Sequence, residues 1–345
     1  MGPEKGGTSA VTIVLPTYNR ASFLSEAFTS IERQTFTDWE LVVVDDGSTD
    51  DTRAMVDRFA DSHAQTVRYF FQRNRGPSTA RNLGVSHAGS PLVAFFDSDD
   101  IWQPDYLANG VGALDSNPDV DWVYSACTIV EVGSGRVLDP NTFYVNGQPR
   151  PLLALTVEKR DHGFNVIVDP RALECQIAHG LYCGPQNSII RRSLFDRCSF
   201  PEHLRLGEDQ FLVMSALAQG KRLAYSSEPR VIYRIHDDNL SGASTARAKF
   251  VAVLEPFVRA LQRLPSELSL NRRELRQLHK RIGREYFWHL GYAGLWQTGQ
   301  QSEAIAMYWR GLTAWPWDLA AWKTYVLAHL KRALGAGRPR NIVPL

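Results

Sequence analysis

The first hundred residues alternate between short apolar runs and longer segments in which an apolar residue recurs at every third or fourth position. The apolar runs lie at residues 11–15, 41–44, 67–71 and 92–96, and each predicts a short buried strand. The intervening segments, such as 23–31, predict amphipathic helices. Strands and helices that alternate at this length predict an α/β fold with a mainly parallel sheet and flanking helices.

The pattern is less regular between residue 100 and about residue 240. Extended runs at 121–126, 186–190 and 222–236 predict further strands, and the Gly-Ser-Gly sequence at 133–135 predicts a hairpin turn. Residues 139–180 have no clear pattern. This region therefore predicts additional sheet structure without a regular βα alternation.

The chain becomes helical in pattern from about residue 245. Apolar stripes predict a first helix that ends at Pro265-Ser266, because proline lacks a backbone donor. Later stripes predict helices at 270–297, 301–313 and 317–334. We therefore predict an α/β domain at residues 10–244 and a C-terminal α-helical extension at 245–340.

Composition narrows the class of protein. Of 345 residues, 44% are hydrophobic and 22% are charged, as in ordinary soluble globular proteins, and the formal net charge is +1. A charge this close to zero gives no general attraction to nucleic acid, so we expect no nucleic-acid partner. The four cysteines have no CxxC spacing, the first ten residues lack the apolar core of a signal peptide, and no apolar run reaches the ~18 residues of a membrane span. We therefore expect a cytoplasmic protein.

Acidic clusters follow two of the predicted strands. Asp45 and Asp46 come directly after the strand at 41–44, and Ser48 and Asp51 in the next turn have the spacing of a helix capping box. The strand at 92–96 is followed by the sequence Asp-Ser-Asp-Asp. Because ligands bind outside the carboxyl ends of strands in open α/β sheets, these clusters predict a site for a cation and a phosphorylated ligand.

Five segments in this order and spacing resemble the motifs of family 2 glycosyltransferases, which have the Rossmann-like GT-A fold. They are residues 13–19, 43–50, 76–82, 96–100 and 208–209. The resemblance covers roughly residues 10–240. It implies a nucleotide-diphosphate sugar as donor, a divalent cation, and inversion at the anomeric carbon. The Gln-x-x-Arg-Trp segment and membrane helices of the family's processive synthases are absent from the sequence, which favours transfer of a single sugar.

The triplet Asp97-Ser98-Asp99 resembles the family's DXD motif. Hard cations such as Mn²⁺ or Mg²⁺ take oxygen ligands and join carboxylates to a diphosphate, whose charge they offset as the bond breaks. The resemblance implies that Asp99 holds the metal and that Asp97 lies nearer the ribose or diphosphate. His236 belongs to a segment that also resembles the family, and it is interpreted as a further metal ligand, a diphosphate contact or a structural histidine.

The resemblance also implies a set of residues around the nucleotide. A carboxylate that accepts a hydrogen bond from an imide N–H suits uracil, so a UDP-sugar is favoured. We predict that Asp46 contacts the base and that Asp45 caps the following helix, although the sequence leaves the two roles interchangeable. Pro16 and Tyr18 flank this position, with Tyr18 either stacked near the nucleotide or packed in the turn. Arg81 pairs either with phosphate or with an acidic cluster.

Asp209 resembles the family's catalytic base, with Glu208 beside it. The acceptor hydroxyl must lose its proton as it attacks the anomeric carbon, so a carboxylate within hydrogen-bond reach is required. A helix N-terminus at this position lowers the pKa of a carboxyl group. The basicity of Asp209 must therefore come from burial or from Glu208. The alternative is that both residues are simple first-turn acids.

Two regions are candidates for contact with the acceptor, which the resemblance implies is a saccharide or a lipid-linked sugar. Gln186 and Asn187 resemble a family segment beneath the acceptor site, and Trp102 either offers a ring face to a sugar or packs in the core. The segment 319–345 carries basic and aromatic residues without acidic ones. It either packs as an ordinary helix or contacts the inner face of a membrane peripherally.

Two other classes of protein share part of this pattern. A nucleotidyltransferase also uses an α/β nucleotide fold and acidic metal ligands, but it needs a Gly-rich basic loop after the first strand, where this chain has residues 16–19. A sugar-nucleotide-binding protein without catalysis is the second alternative. Every acidic residue of the motifs is present, so the sequence favours the enzyme.

Overall fold

Four parallel strands form the centre of the N-terminal unit. They are β1 (Val11–Thr17), β2 (Trp39–Asp45), β3 (Val67–Phe71) and β4 (Leu92–Phe95). Their spatial order is β4-β1-β2-β3, and all neighbouring pairs are parallel. All residues of β1, β2 and β4 are buried, whereas β3 lies at the edge of the sheet and is only partly covered. This arrangement explains why the first, second and fourth apolar runs are nearly continuous.

The structure is a computed structural model that describes residues 9–236 and 247–333. The chain divides into two compact units, Met1–His236 and Asp237–Leu345. The division lies close to, but before, the predicted domain boundary at residue 244. Among the described residues, no helix has both the length and the apolar character needed to cross a membrane.

The described part of the N-terminal unit, residues 9–236, has six α-helices. They are α1 (Ala21–Glu32), α2 (Thr52–Ser62), α3 (Pro77–Ser86), α4 (Tyr106–Ser116), α5 (Ala172–His179) and α6 (Glu208–Ala218). The first three connect the parallel strands, as the sequence pattern predicts. Helix α3 lies so close to β1 that a methyl group at Gly84 would collide with the side chain of Val14. Close packing of α3 against β1 therefore explains why a glycine occupies the middle of this helix.

The less regular middle of the chain extends the sheet beyond β4. Its strands are β5 (Ile101–Trp102), β6 (Trp122–Glu131), β7 (Val137–Asp139), β8 (Tyr144–Val145), β9 (Gln148–Pro149), β10 (Val157–Lys159), β11 (Asn165–Ile167), β12 (Ser188–Arg191) and β13 (Leu223–Ile235). Within the described residues the main sheet has eleven strands, ordered β10-β11-β13-β6-β12-β4-β1-β2-β3, with β5 and β7 paired beside β13 and β6. Strands β8 and β9 form a separate hairpin. The predicted turn at 133–135 joins the antiparallel strands β6 and β7.

Strand β12 makes the sheet mixed, whereas β1 to β4 are all parallel. It runs antiparallel to both β4 and β6, while β13 returns parallel to β6 over most of its length. The end of β13 therefore lies on the same side of the sheet as the residues that follow β4, since β5 also pairs with β13. Two apolar clusters cover the two faces of this mixed sheet.

The described part of the C-terminal unit is helical. It contains α7 (Arg247–Glu267), α8 (Arg272–Arg284), a π-helix (Glu285–Leu295), α9 (Gln301–Ala314) and α10 (Leu319–Ala333). The predicted break at Pro265-Ser266 is wrong, because α7 accommodates Pro265 in its last turn and ends at Glu267. A capping box of Asn271 and Glu274 then begins α8.

A buried ionic cluster marks the junction of α8 and the π-helix. Arg281 and Glu285 are 8% and 5% exposed, and Glu285 also pairs with His289. Burial disfavours the charged carboxylate, but the hydrogen bond from His289 and the surrounding positive charges outweigh burial and lower the pKa of Glu285. The predicted single helix at 270–297 therefore changes its winding where this cluster forms.

Candidate active site

Asp45 is the last residue of β2 and is 1% exposed. One of its carboxylate oxygens accepts a hydrogen bond from the backbone N–H of Ser48 (2.7 Å), and the other accepts one from the hydroxyl of Tyr69 (2.6 Å). Burial and this hydrogen bond raise the pKa of Tyr69 above its ordinary value. The prediction that Asp45 caps the following helix is wrong, because its carboxylate is bonded inside the turn and to the neighbouring strand β3.

Asp46 holds the segment that leads into α3. Its Oδ1 accepts hydrogen bonds from Nε2 of Gln72 (2.7 Å) and from the backbone N–H of Arg75 (2.8 Å), and its Oδ2 accepts one from the backbone N–H of Gly76 (2.8 Å). Gly76 precedes α3, so the positive end of the helix dipole also stabilises this carboxylate. Because a carboxylate has about four acceptor positions, Asp46 has room for one further donor.

The turn between β2 and α2 differs from the predicted capping box. Oγ of Ser48 accepts a hydrogen bond from the backbone N–H of Asn19 (2.9 Å), and Asp51 makes no side-chain capping bond. Asp50 serves α2 instead, because its Oδ1 accepts hydrogen bonds from the N–H (3.1 Å) and the hydroxyl (2.6 Å) of Thr52. The capping box is therefore wrong: Ser48 is committed to the loop after β1.

The loops after β1 and β2 are joined at the carboxyl end of the sheet. The side-chain oxygen of Asn19 accepts a hydrogen bond from the backbone N–H of Thr49 (2.8 Å). Tyr18, directly before Asn19, is 47% exposed, whereas Pro16 is buried within β1 opposite Val44 of β2. The ring of Tyr18 is therefore accessible to a ligand, and Pro16 forms part of the strand beneath it.

Asp97, Ser98 and Asp99 follow β4 with alternating exposure. The side chains of Asp97 and Asp99 are 22% and 19% exposed, whereas Ser98 is 5% exposed. A tight turn follows, in which the backbone N–H of Asp100 donates to the carbonyl of Asp97 (3.0 Å). The triplet thus presents its two carboxylates outward and its serine to the protein.

The Asp99 carboxylate lies between two basic side chains. Its Oδ2 is 3.1 Å from Nε2 of His236 and 3.5 Å from Nε of Arg20. His236 follows β13, and its ring packs 4.8 Å from that of Phe23. The sequence motifs identified His236 as a candidate but missed Arg20, which directly precedes α1 and belongs to no motif that marks a ligand site.

The implied divalent cation can be tested against these donors. Among the described residues, no group of three or more His, Cys, Asp or Glu side chains is arranged to hold a metal ion. Asp99 and His236 do converge, and cations bound with nucleotides are held by one or two protein carboxylates together with substrate phosphates. The residues present therefore fit the protein's share of such a site.

Asp100 and Arg234 fasten the acidic loop to the end of β13, and the sequence assigned a role to neither residue. Asp100 is fully buried, and its Oδ1 accepts a hydrogen bond from the backbone N–H of Arg234 (3.0 Å). Burial and the charges of Asp99 and Asp97 raise the pKa of Asp100 well above its ordinary value. The guanidinium of Arg234 donates to the carbonyl of Asp99 and to the carboxylate of Glu26. These contacts bring Asp99 and His236 together.

Arg81 joins the two acidic motifs. Nη2 lies 2.8 Å from Oδ1 of Asp97 and Nη1 lies 3.0 Å from Oε1 of Glu208, and the residue is only 6% exposed. Burial lowers the pKa of Arg81, but the two carboxylates outweigh burial and raise it overall. The structure thus shows Arg81 paired with acidic side chains, one of the two interpretations that the sequence left open. The guanidinium also lies over the ring of Phe200, 5.6 Å from its centroid.

Asp209 has the electrostatic properties of a base near neutral pH. It lies in the first turn of α6, and its Oδ1 accepts a hydrogen bond from the backbone N–H of Gln210 (2.8 Å). Although Asp209 keeps some solvent exposure, burial and the nearby charge of Glu208 raise its pKa to about 7. The sequence analysis expected burial or Glu208 to offset the effect of the helix dipole on this pKa, and both contribute.

The residues predicted to contact the acceptor are mostly buried. Trp102 is 2% exposed, its Nε1 donates to the carbonyl of Gln186 (2.9 Å), and its ring packs on Phe96. Asn187 is 1% exposed, and its amide bonds to the backbone at Ser125 (2.6 Å) and at Gly184 (2.8 Å).

These positions correct the acceptor prediction for two residues. Trp102 takes the packing alternative, and Asn187 stabilises the backbone around β12. The side chain of Gln186 is partly exposed, so among the three predicted residues it is the one that stays available to an acceptor.

The sheet order and the acidic clusters after β2 and β4 place the N-terminal unit in the class of GT-A folds. Residues 12–174 match the model of the family described as Glycosyl transferase family 2. Over 138 residues the chain is 32% identical to WfgD of Escherichia coli, described as a UDP-Glc:alpha-D-GlcNAc-diphosphoundecaprenol beta-1,3-glucosyltransferase, and the match covers 39% of this chain and 53% of that protein. The chain spans 30%, 39% and 25% of the length of three further curated relatives.

Solved structures show the same fold. TarS 1–349 of S. aureus, in complex with UDP-GlcNAc, is similar with a TM-score of 0.60 at 21% identity, over 94% of this chain and 87% of that chain. The mannosyltransferase PcManGT of Pyrobaculum calidifontis, in complex with GDP-Man and Mn²⁺, is similar with a TM-score of 0.53 at 21% identity, over 98% of this chain and 84% of that chain. The predicted GT-A fold with a helical C-terminal region is therefore confirmed, and the match over residues 12–174 confirms the predicted resemblance to family 2 glycosyltransferases.

Proposed function

We propose that this chain transfers one sugar from a nucleotide-diphosphate sugar to an acceptor hydroxyl, with inversion at the anomeric carbon. The observation that carries the proposal is the ion-pair bridge of Arg81, which joins Asp97 to Glu208. This bridge draws the loop that binds the donor and the helix that carries Asp209 into one site. A pKa of about 7 suits Asp209 to proton removal near neutral pH.

The donor is a UDP-sugar. Asp46 has one acceptor position left after its three hydrogen bonds, and this position suits the imide N–H of uracil. Tyr18 is exposed beside it and contributes a ring face. The bound UDP-GlcNAc of TarS supports this choice, although PcManGT binds GDP-Man.

Asp99 and His236 would hold the divalent cation, Mn²⁺ or Mg²⁺, and Asp97, fixed by Arg81, would lie nearer the ribose and diphosphate. When bound, the cation supplies Lewis-acid stabilisation of the departing nucleoside diphosphate. The Mn²⁺ of PcManGT supports a metal of this class. The chain's own contribution is to fix these side chains through the contacts of Arg81 and Arg234.

Asp209 takes the proton from the attacking hydroxyl of the acceptor. Glu208 does not touch the reacting atoms; it keeps Arg81 in place and adds negative charge that raises the basicity of Asp209. The acceptor is a saccharide or a lipid-linked sugar, and the lipid diphosphate acceptor that the description of WfgD names supports the second form.

The test compares Asp209→Asn with Asp115→Asn, an exposed aspartate of α4 outside the site. Purified chains are assayed for nucleoside diphosphate release and sugar transfer with a panel of nucleotide sugars and Mn²⁺. We expect Asp209→Asn to lose transfer by about a hundredfold or more while a thermal-shift assay still detects UDP binding, because a general base contributes 10²–10⁴-fold.

Two outcomes contradict separate parts of the proposal. Transfer by Asp209→Asn at the rate of the control would refute the assignment of the base. A wild-type chain that neither binds nor turns over any nucleotide sugar would refute the activity itself.

A further inference from the structure

Helix α10 has the reverse of the usual distribution of large and small residues. Its buried positions are alanines, Ala321 at 2% and Ala328 at 3% exposure. Its large apolar residues point outward: Leu319 is 82% exposed, and Val326 and Leu330 are both 53% exposed. A helix in a globular protein normally buries its large apolar side chains, but the outer face of α10 has no partner among the residues that the structure describes.

The exposed residues form one continuous stripe. Leu319, Trp322, Val326 and Leu330 recur every three or four positions, which aligns them on a single face of the helix. We call these four residues the outer stripe. Trp317, two residues before α10, is also exposed, at 76%.

Trp322 sits at the edge of the stripe in an aromatic group. Its Nε1 donates to the carbonyl of Pro316 (2.8 Å), and its ring packs against Tyr325 of α10 and Trp309 of α9, with centroids 6.2 and 6.5 Å apart. Trp309 is itself half exposed. The stripe is therefore bordered by indole rings whose position is held by the fold.

The charge around the outer stripe has one sign. Residues 319–333 contain Lys323, Lys331 and Arg332 and no Asp or Glu. Asp318, directly before α10, is already committed, because its carboxylate accepts hydrogen bonds from the backbone N–H of Ala321 (3.0 Å) and from Nε1 of Trp288 (3.3 Å). The charged residues of α10 are therefore all basic, and the carboxylate of Asp318 lies just before the helix.

We propose that the outer stripe is a docking surface for a membrane that contains anionic lipid. Large apolar side chains enter the boundary between headgroups and acyl chains, indole rings prefer this boundary, and lysines bind the anionic headgroups. A second copy of the chain fits less well, because an isologous contact through this stripe would bring Lys323 and Lys331 of two copies together without a carboxylate in α10 to pair with them. The proposal does not depend on the transfer reaction.

The experiment measures co-sedimentation of the full chain with vesicles of phosphatidylcholine mixed with phosphatidylglycerol, and with vesicles of phosphatidylcholine alone. The stripe variant is Val326→Ser with Leu330→Ser, and the charge variant is Lys323→Ser with Lys331→Ser. The control is Val137→Ser with Leu138→Ser, since these residues of β7 are similarly exposed, at 53% and 41%.

We expect the wild type and the control to sediment with the mixed vesicles. The stripe variant should lose about tenfold or more of the bound fraction, and the charge variant should fall to the level seen with phosphatidylcholine alone. Melting temperatures should be unchanged in all three variants, since the substituted side chains are exposed.

Three results would overturn the proposal. They are a wild type that stays in the supernatant with mixed vesicles, a stripe variant that binds as the wild type does, and a wild-type dimer in light scattering that the stripe substitutions convert to a monomer. The last result would identify a second copy as the occupant of the stripe.

Discussion

Strands β2 and β4 both lie beside β1 and both end in paired carboxylates, yet the two pairs have different surroundings. Asp45 and Asp46 are 1% and 4% exposed and accept most of their hydrogen bonds from backbone N–H groups. Asp97 and Asp99 keep about a fifth of their side-chain exposure and contact basic side chains. Two similar local sequences therefore form different clusters. Asp45 and Asp46 are a structural cluster, and Asp97 and Asp99 are an open cluster.

The partners explain what each cluster can do. A backbone N–H is fixed by the fold, so the carboxylate that accepts from it stabilises a loop and is expensive to move. The basic side chains around Asp99 reach it from the residue before α1 and the residue after β13. They can release the carboxylate to an incoming cation or turn to an incoming anion. The open cluster is therefore the one suited to a cation that binds and leaves, whereas Asp46 offers a base only its one remaining acceptor position.

The largest expected effect is on the open cluster. Asp99→Asn removes the carboxylate charge that we assign to the cation, so transfer should fall by about a hundredfold or more, and the response to added Mn²⁺ should be lost. The melting temperature should stay within about 2 °C of the wild type, because Asp99 is partly exposed and makes no backbone hydrogen bond with its carboxylate that the structure shows. Transfer that still rises with Mn²⁺ as in the wild type would contradict the assignment.

Asp46→Asn should differ from Asp99→Asn by a loss of stability, beside the weaker UDP binding that follows from its proposed contact with uracil. The amide nitrogen of asparagine faces backbone donors or the donor amide of Gln72, so at least one hydrogen bond is replaced by a clash of donors. We expect the free energy of unfolding in urea to fall by about 1–3 kcal/mol. Unchanged stability would show that the two clusters are not distinguished by their backbone contacts.

The pH dependence of transfer should report Asp209. Its pKa is raised to about 7, so below pH 7 the carboxyl group holds a proton and cannot accept another. The rate should therefore fall about tenfold for each pH unit below 7 and level off above it. Binding of UDP, measured in parallel by thermal shift, should not follow this profile; a shared profile would place the titration on the donor site.

The raised pKa of Asp209 also makes the stability of the fold depend on pH. Because Asp209 binds its proton more tightly in the folded chain than in the unfolded chain, folding is favoured at low pH and this contribution is lost as the pH rises through about 7. A carboxyl group held at this pKa is thus maintained at the expense of stability at neutral pH.

The sequence predicted the sheet and the position of the site because both depend on local pattern. Apolar runs identify β1, β2 and β4, and acidic residues directly after a strand must lie at its carboxyl end. The different environments of the two acidic clusters were not predictable in this way. Gln72, Arg75 and Gly76 approach Asp46 from a loop almost thirty residues later, and no local pattern reveals this contact.

Whether a given polar or aromatic residue is buried was the second property that the sequence could not predict. The same residue types serve in cores and in sugar sites, so Trp102 and Asn187 had two interpretations until their partners were known. Arg20 and Arg234 were missed because their partners lie more than seventy residues away in the chain. Such contacts are set by the order of strands, in particular by the return of β13 beside β5.

The smallest effect should come from Trp102, which lies just after the open cluster but belongs to the core beneath it. Trp102→Phe keeps an aromatic ring and removes the hydrogen bond from Nε1 to the carbonyl of Gln186. We expect a loss of about 1 kcal/mol in the free energy of unfolding and an acceptor KM within about twofold of the wild type. The acceptor KM tests the packing role of Trp102, because a ring that stacks on a sugar would contribute to acceptor binding and a core ring would not. A KM raised tenfold with unchanged stability would instead assign Trp102 to the open cluster. The core beneath β4 would then begin at Phe96, on which the ring of Trp102 packs.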